Sequence, residues 1–339
     1  LVSHYTLIEL VIVQNVSVGF QGDFLTPTWK NLQTQMLLLV IQFTTGLKMT
    51  PVRIGLFLLI IIDVVHLKGD DISQIVPPWG YVFDEWAGDP LDVIVYVPNE
   101  ARANIPILII IPGASRDAQR FHGSWLDLAK KHKFAVVTIG ARKKYFPDEY
   151  AYNAGGVITD RGGFIKEDKW LFSAIAPLFN DLKDRYGFTS EKFYLFGHSA
   201  GGGFVHRYLL LKPDAPVIKA VAANPAFVTL PENDIEYPFG IRKAPLKTNA
   251  LEKWLKHDLA IILGEEDLGP RTKLLSNGPM ARKQGPNCLT RGKLLYSSVN
   301  SEAKELDIKC GWDLITVPGV GHDNFNIAPV ACEYLFGKQ

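Results

Sequence analysis

One short stretch, "YLFGHSAGGGF" at residues 194–204, places a serine between glycines directly after an apolar run. Residues 197–201 match the pattern G-x-S-x-G, in which a tight turn between a strand and a helix exposes a serine hydroxyl. Glycines flank such a turn because side chains there would collide with neighbouring strands or with each other. The pattern predicts Ser199 as a nucleophile. The alternative is a glycine-rich turn with an incidental serine.

A nucleophilic serine requires a base to take its proton and an acid to hold that base in one tautomer. His322 in "TVPGVGHDN" follows the last predicted strand in a loop, and it is the predicted base; a surface loop histidine is the alternative. Asp267 in "LAIILGEEDLGP" is the predicted acid, because its place third after a strand-end glycine lets the turn bring its carboxylate over the strand. The two preceding glutamates are predicted to be solvated, and Asp234 is a further candidate.

Serine catalysis on a carbonyl group also requires two backbone donors for the oxyanion that develops. One predicted donor is the amide of Ala200, directly after the serine. The other is the amide of Ala114 in the loop "IIIPGASRD", with Ser115 as the alternate donor and also as a candidate pocket residue.

The aromatic segment 141–156, "ARKKYFPDEYAYNAGG", joins a strand end to the next predicted helix. We expect it to overhang the serine, with Phe146, Tyr152 and Asn153 lining a substrate pocket. The alternative is a surface loop whose aromatic side chains pack inward. His198 is predicted to be a packing or pocket-wall group.

Short β-branched runs alternate with longer helical stretches along the part of the chain that must position these residues. This alternation predicts an α/β fold with a mostly parallel sheet and helices on both faces. "IPILIIIPG" is apolar at nearly every position, as in a central strand covered on both faces. Strands are predicted at 91–98, 105–113, 134–140, 192–197, 218–225, 258–264 and 312–319, and helices at 124–132 and 169–187.

Composition excludes several classes of function. The chain has 339 residues, of which 47% are hydrophobic and 21% charged, as in a globular protein. Its net charge of +1 argues against a nucleic-acid-binding protein. The three cysteines, at positions 288, 310 and 332, allow one disulfide without indicating the pair, and none has metal-ligand spacing. No metal and no cofactor are predicted.

The N-terminal part of the chain is predicted to have a role different from that of the catalytic domain. We divide the chain into an extension, 1–70, and a catalytic domain, 71–339. Within the extension, 49–66 resembles a secretory signal, because a basic residue precedes the apolar run "IGLFLLIII". The run is shorter than the about 20 residues of a spanning helix, so no stable membrane span is expected. Secretion or periplasmic export is predicted, although no small-x-small cleavage pattern follows; a membrane-anchored or cytoplasmic protein is the alternative.

Four segments carry a family resemblance: "GHSAGGGFVHRYL", "FPDEYAYNAG", "ARKQGPNCLTRGKLLY" and "VPGVGHDN". With them, the chain from about residue 80 onward resembles the α/β-hydrolase superfamily, and within it the esterases grouped with polyhydroxyalkanoate depolymerases and feruloyl esterases. The order serine, acid, histidine is that of this superfamily. Pro112-Gly113 stands where many such enzymes carry His-Gly.

The resemblance implies an α/β-hydrolase fold and hydrolysis of carboxylic esters through an acyl-enzyme. The expected substrate is a small or polymeric ester, such as an aryl ester or a polyester. A peptidase on the same fold is one alternative, and a binding protein that lacks the chemistry is another.

Overall fold

The computed structural model describes residues 80–98, 103–273 and 275–337. These residues all belong to the predicted catalytic domain. The predicted extension, with its signal-like segment 49–66, lies outside the described residues, so the domain boundary and the export signal stay predictions.

The described residues form one eight-stranded sheet, which confirms the predicted α/β fold. The strands follow the spatial order β1-β2-β4-β3-β5-β6-β7-β8. The second strand pairs antiparallel with the first and fourth, and every other neighbouring pair is parallel. Their bounds are β1 Gly80–Phe83, β2 Leu91–Tyr96, β3 Ile107–Ile111, β4 Ala135–Gly140, β5 Phe193–His198, β6 Val217–Ala223, β7 Leu259–Gly264 and β8 Trp312–Val317.

Helices follow most of the strands within the same described ranges. They are α1 Ala118–Gly123, α2 Leu126–His132, α3 Ile175–Tyr186, α4 Ala200–Leu211, α5 Ala250–Lys256, α6 Pro279–Lys283, α7 Cys288–Glu305 and α8 Asn324–Phe336. Among these helices, none combines the length and the apolar character needed to cross a membrane.

Both faces of the sheet are covered by helices, as the apolar run of β3 predicts. Successive side chains of a strand point to opposite faces, and β3 divides its residues accordingly. Ile107, Ile109 and Ile111 join the core that contains the buried residues of α3 and α4. Leu108 and Ile110 join the core that contains those of α8. Because β3 to β8 run parallel, their carboxyl ends meet at one edge of the sheet.

The predicted helix 169–187 is shorter in the structure. Two short 3₁₀ turns precede α3, which begins at Ile175. Pro177 has no N–H to donate to the carbonyl of Ser173, and its ring crowds that carbonyl, so it disfavours an α-helix that extends back past Ser173. The end is where the sequence predicts it: Gly187 has φ +69° and closes the last turn. The antiparallel strand β1 was not predicted.

Candidate active site

Ser199 occupies the turn between β5 and α4 at the carboxyl edge of the sheet. Its backbone has φ +61° and ψ −116°, a conformation that costs a non-glycine residue about 1–3 kcal/mol. Two hydrogen bonds hold it there. Its N–H donates to the carbonyl of Ala223 at 2.9 Å, and its carbonyl accepts from Gly203 at 3.0 Å. The turn therefore places a strained, half-buried serine above the sheet.

The two glycines of the motif are required by close backbone approach. A Cβ at Gly197 would lie 2.1 Å from the carbonyl oxygen of Gly201. A Cβ at Gly201 would lie 2.0 Å from the carbonyl oxygen of Ile111, at the end of β3. One of these carbonyl oxygens belongs to α4 and the other to the end of β3, so a larger residue at either glycine would displace the serine turn.

Asp267 and His322 meet at the same edge. The turn after β7 closes through a hydrogen bond from the Asp267 N–H to the carbonyl of Gly264, as its spacing predicts. His322 Nδ1 lies 2.6 Å from Asp267 Oδ2, a short hydrogen bond to a carboxylate acceptor. The carboxylate is 1% exposed, whereas the imidazole is 29% exposed. An exposed imidazole held by a buried carboxylate can accept a proton on its free Nε2.

The other acids considered from the sequence do not approach the histidine. Glu265 and Glu266 are exposed, as predicted, and Thr316 donates a hydrogen bond to Glu265. Asp234 is exposed in the loop beyond β6. The tight turn makes this difference, because it directs only the third residue after the strand toward the loop that follows β8.

A cavity of about 250 Å³ lies between these loops. Ser199 and His322 both line it, without a direct hydrogen bond between them in the described atoms. Hydrogen bonds between a nucleophile and its base are often longer in an unliganded enzyme than in a complex with substrate. The full lining is Ala114, Glu149, Ser199, Ala200, Ala226, Pro270, Arg271, Thr272, Lys273, Ser276 and His322.

The two amides expected to bind an oxyanion also lie at this cavity. Ala200 begins α4, so its N–H is one of those that the helix leaves without an intrahelical acceptor. Ala114 follows β3 by three residues and lines the cavity as well, whereas the alternate, Ser115, is exposed and does not. The hydroxyl of Ser115 instead accepts a hydrogen bond from the Asp117 N–H.

Three solved structures that match this chain are hydrolases by name. Poly(aspartic acid) hydrolase-1 from Sphingomonas sp. KT-1 is 34% identical, with a TM-score of 0.73; the match covers 76% of this chain and 98% of that one. The poly(3-hydroxybutyrate) depolymerase LpqC from Bordetella parapertussis is 29% identical, with a TM-score of 0.71, over 76% of this chain and 87% of that one. An S-formylglutathione hydrolase from Agrobacterium tumefaciens, 16% identical with a TM-score of 0.51 over 76% of this chain and 92% of that one, shares the fold.

The chain belongs to the α/β-hydrolase superfamily. Within it, the chain resembles the polyester depolymerases, as the sequence motifs predict. These relatives support hydrolysis as the general function of this α/β hydrolase. No family model and no curated protein sequence matches the chain significantly.

Three aromatic and polar residues expected in the pocket of this hydrolase do not line the cavity. Phe146, Tyr152 and Asn153 are at most 5% exposed, because the segment 141–156 packs inward. The hydroxyl of Tyr152 donates to the carbonyl of Pro112 and so holds the segment against the loop of the expected oxyanion donor. The structure therefore agrees with the alternative, in which these side chains pack inward. The same segment contributes Glu149 instead.

His198 is a packing residue of this hydrolase and does not line the cavity. It is 3% exposed, and its ring lies 4.6 Å from that of His322, centroid to centroid. Of the two roles that the sequence allows for His198, the structure selects packing over pocket wall.

Charged residues that line the cavity were not predicted from the sequence. Arg271 donates from Nη2 to Asp267 Oδ1 at 3.2 Å, while Lys273 is exposed. Glu149 accepts hydrogen bonds from the backbone N–H groups of Leu275 and Ser276, and burial raises the pKa of its carboxyl. The sequence feature that could have identified Arg271 and Lys273 is their position within six residues after Asp267, the predicted acid. No sequence pattern indicated Glu149.

One set of side chains has the composition of a metal site. A ligand atom from each of Asp267, Cys288 and His322 lies within 4.8 Å of the others. However, the short bond between the carboxylate and the imidazole occupies both of those groups. Burial and the nearby carboxylate raise the pKa of the Cys288 thiol, whereas a metal would bind the thiolate. The donor set thus fits an acid–base pair better than a metal ion.

Proposed function

We propose that this hydrolase cleaves carboxylic esters through an acyl-enzyme, with Ser199 as nucleophile, His322 as base and Asp267 as the acid that orients the base. The observation that carries the proposal is the 2.6 Å bond between His322 and Asp267 beside the cavity that Ser199 also lines. The strained backbone of Ser199 supports it, since strain of this kind concentrates at functional sites.

The reaction follows from these positions. Ser199 Oγ attacks the ester carbonyl carbon while its proton moves to His322 Nε2. The carbonyl oxygen becomes an oxyanion, which the amides of Ala200 and Ala114 stabilise. When the intermediate collapses, the carbon–oxygen bond to the alcohol breaks, and the alcohol leaves with the proton from His322. Water then attacks the acyl-enzyme by the same route and releases the acid.

Asp267 acts through the histidine. By accepting the Nδ1–H, it holds the tautomer in which Nε2 is free to take a proton. The carboxylate also stabilises the imidazolium that forms in the transition state, and its burial strengthens that interaction. Arg271 balances the buried negative charge from the opposite oxygen.

A polyester or an aryl ester is the substrate class that we propose. The poly(3-hydroxybutyrate) depolymerase supports the polyester, because it shares 29% identity over most of its length. The net charge of +1 also suits a neutral polymer better than a strongly charged partner.

Active-site labelling followed by an ester panel tests this function. We expect a fluorophosphonate to add once to the protein and peptide mapping to place the adduct on Ser199. Ser199→Ala should abolish the label, whereas Ser297→Ala, an exposed serine on α7, should retain it. The panel should span acyl length, aryl esters and poly(3-hydroxybutyrate). A protein that takes no label and turns over no ester would contradict the proposal.

Amide cleavage in an acidic polymer is a second candidate. Poly(aspartic acid) hydrolase-1 supports it, at 34% identity over nearly its whole length. Lys273 at the cavity also favours a negatively charged substrate, because no acid among the described residues forms an ion pair with it. The buried Arg291 donates to the carbonyls of Ala226 and Ser276, which line the cavity, and adds further positive charge.

Turnover of two polymers separates the candidates. Poly(aspartic acid) cleavage that weakens as salt rises would support the amide reaction, since salt screens attraction between exposed charges. Cleavage of poly(3-hydroxybutyrate) that does not depend on salt would support the ester reaction. Equal failure on poly(aspartic acid) at low and high salt, with ester turnover intact, would contradict the second candidate.

We also propose that 49–66 directs export. The support is the short apolar run after a basic residue. Expression of the whole chain followed by fractionation and N-terminal sequencing tests it. An exported protein that begins after this segment is expected, and a protein that stays in the cytoplasm with the segment attached would contradict export.

A further inference from the structure

One buried amide side chain, that of Asn224, contacts all three loops that carry the proposed triad. Asn224 directly follows β6 and has no exposed surface. Its Oδ1 accepts a hydrogen bond from the N–H of Gly264 at 2.9 Å. Its Nδ2 lies 3.2 Å from His198 Nε2 and 3.5 Å from the carbonyl oxygen of Gly321.

Each of these three partners stands near a triad residue in the chain. The first, at the end of β7, is three residues before Asp267. The second directly precedes Ser199, and the third directly precedes His322. One side chain therefore joins the nucleophile turn, the acid turn and the histidine loop.

The backbone of Asn224 suits this role. Its φ is +42°, in the left-handed region that asparagine adopts more readily than most residues. Its N–H donates to the carbonyl of Ile262 at 2.9 Å and so extends the pairing of β6 with β7 by one residue. The sheet thus fixes the backbone, while the left-handed turn directs the amide toward the three loops.

The bond to Gly264 sets the orientation of the amide. A backbone N–H can only donate, so it must face Oδ1. Nδ2 is therefore the group that faces His198, and it donates to Nε2. That nitrogen carries no proton, which leaves the proton of a neutral His198 on Nδ1.

The charge of His198 affects the proposed base. Its ring lies 4.6 Å from that of His322, centroid to centroid. A positive charge on His198 would oppose the charge that His322 acquires when it takes the proton of Ser199. Burial lowers the pKa of His198 well below its ordinary value, and three facing groups lower it further: His322, Arg120 and Arg271.

We propose that Asn224 is a positioning residue of the triad, which fixes the three loops relative to one another and holds His198 as the neutral Nδ1–H tautomer. This inference rests on the proposed function. Asn224 does not line the cavity and acts through its three partners.

Asn224→Asp is the sharpest kinetic test, because it keeps the acceptor for Gly264 and replaces the donor that faces His198 and the carbonyl of Gly321. We expect kcat to fall about tenfold or more while KM stays within about twofold of the parent value. The control is Asn300→Asp on α7, a half-buried asparagine that donates to the carbonyl of Tyr296 outside the cavity. The control should keep the parent kcat and KM.

Two outcomes would overturn the proposal. One is a kcat for Asn224→Asp equal to that of Asn300→Asp. The other is a lowered Tm with unchanged kcat, because it would leave Asn224 a structural role alone. If Asn224→Asp does not fold, Asn224→Gly replaces it, since glycine accepts the positive φ and removes both side-chain bonds.

A measurement independent of turnover separates this inference from the proposed function. In ¹⁵N imidazole spectra, assigned by the loss of signals in His198→Gln, the parent His198 should show a protonated Nδ1 and an unprotonated Nε2. Asn224→Gly should remove that preference. A protonated Nε2 in the parent would overturn the inference even if Ser199 is labelled. Absence of the label would contradict the proposed function without changing this spectrum.

Discussion

The cavity has two unlike sides. At the sheet edge, the proposed triad lies on turns that buried hydrogen bonds attach to β5, β6 and β7. At the rim, Arg271 and Lys273 lie in a loop, and Lys273 is exposed and has no ion-pair partner among the described residues. The first side has little freedom to change, and Arg271 is tied to it by its ion pair with Asp267, whereas Lys273 can change its charge at small cost. We infer that the sheet edge determines the reaction and the rim determines which substrate enters.

The largest effect should come from removing the nucleophile. Ser199→Ala should lower kcat by about 10⁵-fold or more, because a triad without its serine retains only what binding and the oxyanion donors supply. Ester turnover measured beside Ser297→Ala checks this. Turnover within about tenfold of the parent would place the chemistry elsewhere.

The next effect should come from the acid. Asp267→Asn should lower kcat by about 10³- to 10⁴-fold with KM nearly unchanged, because the amide permits the wrong histidine tautomer. Asp234→Asn, in the loop beyond β6, is the matched control and should behave as the parent. Equal losses of kcat in the two variants would contradict the prediction that Asp267, and not another acid, orients the histidine.

A third prediction tests how rigid the sheet edge is. Gly201→Ala should lower the free energy of unfolding by about 3 kcal/mol, because the new Cβ would meet the carbonyl oxygen of Ile111 at 2.0 Å. Gly123→Ala has no atom within 4 Å of the new Cβ and should be neutral or slightly stabilising. Urea denaturation of both variants measures the difference. A Gly201→Ala protein as stable as the parent would show that this edge adapts.

The smallest effect should come from the rim. Lys273→Gln should raise KM about threefold for an aryl ester that carries a free carboxylate, at low salt, and leave kcat unchanged. The methyl ester of the same compound should show no change in KM. Lys283→Gln, an exposed residue on α6 that does not line the cavity, is the matched control. A change of kcat in Lys273→Gln would mean that the rim takes part in the reaction.

The sequence predicted the fold best where the local signal was strong. The continuous apolar run of β3 indicated a central strand, and Gly187 indicated the end of α3. The predicted start of α3 was wrong. Apolar residues keep helical spacing through 169–174, and the prediction gave this spacing more weight than the effect of Pro177. Strand β1 was not predicted, because four residues with one buried side chain show little of the alternation that indicates a strand.

The site, like the fold, was predicted best where the local pattern was strong. Spacing after predicted strands indicated Ser199, Asp267 and His322, because the ends of parallel strands meet at one edge whatever the details of packing. The pocket was predicted poorly. Tyr152 and Phe146 were expected at the cavity for their aromatic character, but the same character favours burial, and the segment packed inward.

The sequence by itself therefore determined the α/β fold and the chain order of the candidate triad, since both depend on short patterns that each element carries alone. Only the tertiary structure decided what surrounds them. The contacts of Asn224 and the charged rim join residues from distant parts of the chain, and such contacts exist only once the loops after β5, β6, β7 and β8 have come together.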